Sequence, residues 1–186
     1  MTEPQKVAVF DIDGTIFRSS LFIEVVEACI EKGLFPEEAH SAYDKEYEAW
    51  RNRNGSYKAY ISGVVEAYMA HIKGVYYGDF IETAREVVEQ QKLRTYRYTR
   101  DLIKTLKEQG YFMLVISHSQ KAVLDLFCTD MGFDKVYGMM YEIGPSDRFT
   151  GNVTDEAFML NKGSVLKRAV EKHNLTLKDS IGVGDT

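Results

Sequence analysis

Two aspartates stand two residues apart, Asp11 and Asp13, directly after the apolar run Val7-Ala8-Val9-Phe10 and before Gly14-Thr15. Carboxylates that close repel each other unless a cation or a shared proton intervenes. A Mg²⁺ ion with oxygen ligands is the natural neutraliser, and Asp185, after the run Ser180-Ile181-Gly182-Val183-Gly184, could complete its shell. Ser117 closes a third apolar run, Tyr111 to Ile116, and offers a hydroxyl and a backbone N–H where a helix should begin, a setting that suits an anion. Lys162, at the start of a helical pattern, could bring positive charge to the same anion. His118 directly follows Ser117 and is a candidate contact for the substrate or leaving group, or equally a structural histidine.

Each signal has a plainer reading: an Asp-x-Asp-Gly turn, a serine cap, a solvated lysine. Together, in this order and at successive strand ends, they point to one site, because ligands of open parallel sheets bind at the carboxyl ends of the strands.

The elements that must position these residues follow from the hydrophobic pattern. Val7–Phe10, Tyr111–Ile116 and Ser180–Val183 are short continuous apolar runs, as expected of strands buried on both faces, and Lys135–Tyr141 is a weaker fourth. Leu102, Ile103 and Leu106 predict a helix stopped by Gly110. Ser119 is expected to cap a helix carrying Val123, Leu124 and Phe127, and Val165, Leu166, Ala169 and Val170 mark another. Strands alternating with helices imply an α/β fold with a mostly parallel sheet. The turn Gly144-Pro145-Ser146-Asp147 suggests an edge hairpin.

Residues 20–92 break the alternation. They carry helical periodicity alone, in four stretches: Leu21 to Cys29, Ala39 to Trp50, Tyr60 to Ile72 and Phe80 to Val88. Four helices can close a small bundle of their own. The expected division is therefore a discontinuous α/β core of 1–19 and 93–186 with a helical insertion of 20–92. The aromatic stripe Tyr43, Tyr47, Trp50, Tyr57, Tyr60 and Tyr68 is expected to be the core of that insertion rather than a substrate box, and Arg51, Arg53 and Lys58 could meet an anion or simply be solvated.

Composition sets the outer bounds. At 186 residues, the chain corresponds to about one domain, taking roughly 150 residues for each. The net charge of −5 argues against a nucleic-acid or anionic-membrane binder. No run of 18 apolar residues predicts a membrane span, and Met1 to Lys6 lacks the pattern of a signal peptide. Cys29 and Cys128 sit among apolar residues and read as core thiols of a reducing compartment, so the cytoplasm is the expected location.

These motifs resemble those of the haloacid dehalogenase superfamily of phosphohydrolases. Asp11-Ile12-Asp13-Gly14-Thr15, Ser117, Lys162 and Gly184-Asp185 match its four motifs in order, and the insertion resembles the helical cap of its phosphoserine-phosphatase-like members. The resemblance implies a Rossmann-like parallel sheet with a helical cap, and a Mg²⁺-dependent phosphatase acting on a small phosphorylated metabolite. It implies Asp11 as nucleophile, Asp13 as general acid and base, Ser117 and Lys162 around the phosphoryl group, and Mg²⁺ held by Asp11, the Asp13 carbonyl and Asp185; His118 joins the phosphate-binding set only through its place next to Ser117. A phosphotransferase of the same mechanism, or a silent phospholigand-binding member, are the alternatives. The family pattern also continues with another acidic residue, a helix and a strand after Gly184-Asp185, so the expectation is either a chain cut short after Thr186 or weak metal binding that depends on Asp185 alone. Phosphoserine itself is disfavoured: Ser20 replaces a substrate-binding Glu, Tyr57 to Ser62 holds no Arg, and Ser117-His118-Ser119 replaces Ser-Gly-Gly.

Overall fold

The computed structural model describes residues 3–185. Its elements run β1 (Gln5–Phe10), α1 (Leu21–Glu31), α2 (Asp44–Arg51), α3 (Tyr57–His71), α4 (Tyr77–Gln91), α5 (Arg97–Glu108), β2 (Phe112–Gln120), α6 (Lys121–Cys128), β3 (Lys135–Ile143), β4 (Phe149–Thr154), α7 (Glu156–Met159), α8 (Lys162–His173) and β5 (Leu175–Val183). The strands form one sheet in the order β4-β3-β2-β1-β5. β1 pairs in parallel with both β2 and β5, and β2 in parallel with β3. β3 and β4 are joined by the turn Gly144–Arg148, the edge hairpin that Gly144-Pro145 signalled.

The central strands are central because they are apolar on both faces. Met113, Leu114, Val115 and Ile116 of β2 are all buried, as are Val7, Ala8 and Phe10 of β1. β5 begins earlier than its apolar run indicated. Gln5 and Lys6 pair with Leu175 and Thr176, and pairing resumes at Ala8 with Ile181, so residues 177–180 bulge out opposite Val7. Asp179 takes the positive φ that this bulge requires.

Two compact units divide the chain. The first contains the chain up to Leu21, Val88–Met140 and the chain from Val153; the second is Phe22–Val87 with Tyr141–Asn152. The hairpin tip thus falls with the helices, a departure from the expected insertion of 20–92. Its reason is local: Gly74 donates its N–H to the Phe149 carbonyl at 2.8 Å, and Phe149 meets the rings of Tyr77 and Phe80.

Within the second unit the expected helix through Ala39 and Trp50 is two pieces. A 3₁₀ turn, Glu37–Ala42, precedes α2, and Tyr43 separates them with φ −141°. Its hydroxyl donates to Glu27 Oε1 at 2.8 Å, which anchors the break. The aromatic stripe is core, as expected, for Tyr43, Tyr60 and Tyr68, whereas Trp50 and Tyr57 remain exposed beside them. Tyr68 is fully buried and touches the rings of Phe22, Phe35, Phe80 and Tyr141. Deleting such a ring leaves a cavity that its neighbours only partly fill. Tyr68→Ala should therefore cost about 3–5 kcal/mol, measured as a lower urea midpoint with an unchanged slope.

Candidate active site

The site is built at the carboxyl end of β1. Asp11 donates its N–H to the Val183 carbonyl at 3.0 Å, which sets the end of β1 beside the end of β5. The chain then turns tightly, with Thr15, Ile16 and Phe17 donating their N–H groups to the Ile12 carbonyl and Gly14 to that of Ser19. Gly14 sits at φ +73°, where only glycine is unstrained.

The turn sends the two aspartates into different surroundings. Asp11 accepts the Ile12 N–H on Oδ1 at 2.8 Å, and its Oδ2 is ion-paired with Lys162 Nζ. Lys162 is the first residue of α8, which Asn161 caps by accepting the Ser164 N–H. Asp13 is half-buried as well, but its carboxyl is bonded to Leu21 and to two serines of β2 instead. Its Oδ1 accepts the Leu21 N–H at 2.6 Å, and its Oδ2 accepts the hydroxyls of Ser119 at 2.5 Å and Ser117 at 3.3 Å. Burial pushes the Asp13 carboxyl above its ordinary range, and the Asp11 charge adds to this; the bonds from Ser119, Leu21 and Ser117 oppose it without winning.

Ser117 and Ser119 depart from expectation. β2 runs on to Gln120, with its pairing to β3 interrupted between Ile116 and Gln120, so α6 starts only at Lys121. Ser117 is therefore not at a helix start. It is fully buried, and its hydroxyl lies between Asp13 and the Ser119 N–H. Ser119 is not a cap either: Gln120 holds that position, and the Ser119 hydroxyl goes to Asp13. Strand-end spacing could not distinguish these roles, since a serine before a helix fits both.

His118 is exposed between the two buried serines. Its ring lies near the backbone of Met159 and Leu160 and feels both Lys162 and Asp11. Desolvation, then the Lys162 ammonium, hold its pKa below the ordinary value. Beside Asp11 a cleft of about 430 Å³ opens, lined by Phe10, Ile116, Lys162, Leu166, Val183 and Gly184 among others.

Asp185 is brought to the same loop. A Cβ on Gly14 would lie 2.5 Å from Asp185 Oδ2, so the carboxylate fills the space that glycine leaves. The oxygen donors Asp11, Asp185 and the Asp13 carbonyl suit Mg²⁺, which typically takes one or two carboxylates and completes its shell with water and phosphate. Among the described residues no three His, Cys, Asp or Glu side chains converge on one metal position, consistent with the Asp13 side chain being turned to the serines.

The profile of the haloacid dehalogenase-like hydrolases matches residues 8–186. No curated protein matches the chain in sequence. Among solved structures, an apo phosphoserine phosphatase superposes with a TM-score of 0.64 at 18% identity, over 98% of this chain and 78% of that one. A substrate-bound phosphoserine phosphatase gives 0.62 at 17%, over 97% and 78%. The phosphoserine phosphatase of T. onnurineus gives 0.55 at 23%, over 90% and 72%. At these identities the likeness is one of fold. The chain belongs to the haloacid dehalogenase-like hydrolase family.

Two outcomes test this geometry. Gly14→Ala should cost about 1–2 kcal/mol for the left-handed backbone alone, read by chemical denaturation, and displace Asp185. His118 should titrate below 6.5 by NMR. A histidine with a lowered folded pKa supports the fold above its unfolded value and costs stability as the pH falls through 6.5 towards the folded pKa. His118→Gln should accordingly flatten the loss of stability on the acid side of pH 6.5.

Proposed function

We propose that this haloacid dehalogenase-like hydrolase is a Mg²⁺-dependent phosphatase that cleaves a small phosphate monoester through an aspartyl-phosphate on Asp11. The observation carrying this reading is the unequal treatment of two carboxylates from one turn. Asp11 lies at the cleft, paired with a lysine; Asp13, also half-buried, is bonded to Leu21, Ser117 and Ser119, with its carboxyl pushed towards the protonated form. Environments that push neighbouring acids apart in this way assign one as nucleophile and the other as proton carrier.

In this reading an Asp11 oxygen attacks phosphorus while the ester P–O bond breaks, and Asp13 gives its proton to the leaving oxygen. Asp13 then takes a proton from water as that water releases phosphate from Asp11. The Lys162 ammonium offsets the charge on the phosphoryl oxygens. Ser117, with a hydroxyl shared between Asp13 and Ser119, is a second phosphoryl contact, and His118, exposed near Lys162, a contact for substrate or leaving group. Asp11, Asp185 and the Asp13 carbonyl would hold Mg²⁺, whose charge would offset the repulsion between an anionic nucleophile and an anionic phosphoryl group.

The helices of the second unit, within Phe22–Val87, follow β1 and precede β2 in the chain, the position of the family's cap. Ser20, buried and short, supports a substrate other than phosphoserine. The free thiols of Cys29 and Cys128, both buried and pushed up to about 12, accord with a reducing cytoplasm, with a small phosphorylated metabolite as substrate. Among the described residues no helix is long and apolar enough to cross a membrane.

The test is hydrolysis of p-nitrophenyl phosphate by the full chain. Activity should require Mg²⁺ and vanish with EDTA. Asp11→Asn should lose at least about 10³-fold, and Asp13→Asn about 10²–10⁴-fold with a poor leaving group. Undiminished turnover in Asp11→Asn would sink the nucleophile assignment.

A further inference from the structure

Ser119 follows the exposed His118 in the irregular end of β2 and is itself only 3% exposed. A buried hydroxyl must find a partner, and this one finds Asp13 Oδ2 at 2.5 Å, much closer than Ser117 at 3.3 Å. The other Asp13 oxygen is held by the Leu21 N–H at 2.6 Å. These partners differ in kind. A backbone N–H only donates, so it favours an unprotonated Oδ1, whereas a hydroxyl donates or accepts. Oδ2 can therefore carry the proton or release it and keep its bond to Ser119 in both states.

We propose that Ser119 is a positioning residue for proton transfer, holding the Asp13 carboxyl through its hydroxyl in both halves of the reaction; this rests on the phosphatase reading above. In the first half the ester P–O bond breaks, the Asp11–phosphorus bond forms and the proton on Asp13 passes to the leaving oxygen. In the second, water gives its proton to Asp13 and its oxygen to phosphorus, and the Asp11–phosphorus bond breaks. Ser119 is neither consumed nor charged in either half. Its hydroxyl donates to the Asp13 carboxylate and accepts from the acid.

The test is Ser119→Ala in the full chain with Mg²⁺, compared on two esters through kcat/KM, which covers departure of the leaving group. With an alkyl ester such as glycerol 2-phosphate, whose leaving oxygen needs a proton, kcat/KM should fall about 10- to 100-fold. With p-nitrophenyl phosphate, whose phenolate leaves unaided, it should change less than about 3-fold. In an Asp13→Asn background the alanine should add no further loss, because its effect passes through Asp13. A melting temperature close to that of the parent shows that the fold is intact. Equal losses on both esters, or the same loss again in Asp13→Asn, would overturn the positioning role. A parent chain inactive on both esters overturns the phosphatase reading itself, and the two failures are therefore distinguishable.

Discussion

Like charges two residues apart must be separated, neutralised or protonated, and the loop after β1 depends on how this is done. Asp11 and Asp13 share a turn whose N–H groups converge on the Ile12 carbonyl, and that turn aims one carboxylate at Lys162 and the other into the protein. The repulsion is resolved by a cation for the first. For the second it is resolved by partial burial with three hydrogen-bond donors, with desolvation raising the carboxyl's pKa against those bonds. Gly14 makes the turn possible twice over: its positive φ lets the chain reverse, and its missing side chain admits the Asp185 carboxylate.

Everything else in the first unit brings partners to that turn. β5 delivers Asp185 because Asp11 bonds to Val183 at the strand end. β2, buried on both faces, delivers Ser117 and Ser119 from an irregular stretch that keeps strand-like backbone past the point where a regular pair would end. α8 delivers Lys162 from its first turn, with Asn161 satisfying an N–H that the helix start would otherwise leave unpaired. Three separate segments converge on one loop, as strand ends in a parallel sheet are placed to do.

The second unit is held by a different means. Its core is aromatic, centred on Tyr68 and on the Tyr43–Glu27 hydrogen bond, and its exposed rings, Trp50 and Tyr57, lie against Tyr60 rather than standing alone. Such rings supply large apolar area and edge-to-face contacts at little entropic cost, which suits a unit built from short helices. The hairpin tip joins it because Phe149 has aromatic partners there.

Much of this was legible in residue order. Apolar runs followed by Asp, Ser and Gly-Asp marked β1, β2 and β5, though not where β2 ends, because a strand buried on both faces must be continuously hydrophobic while polar residues can still lie within it. Helical periodicity marked the inserted helices for the same reason. What periodicity could not carry was direction. Whether Ser119 caps a helix or holds Asp13 depends on where β2 ends, and that is set by pairing with β3, a segment distant in sequence. Whether Asp13 is a solvated carboxylate or a half-buried one with a raised pKa depends on its surroundings, among them Leu21, Ser117 and Ser119. Sequence by itself determined which side chains have the chemistry; the tertiary structure decided which way each carboxylate points, because hydrogen bonds and desolvation arise only when remote segments meet.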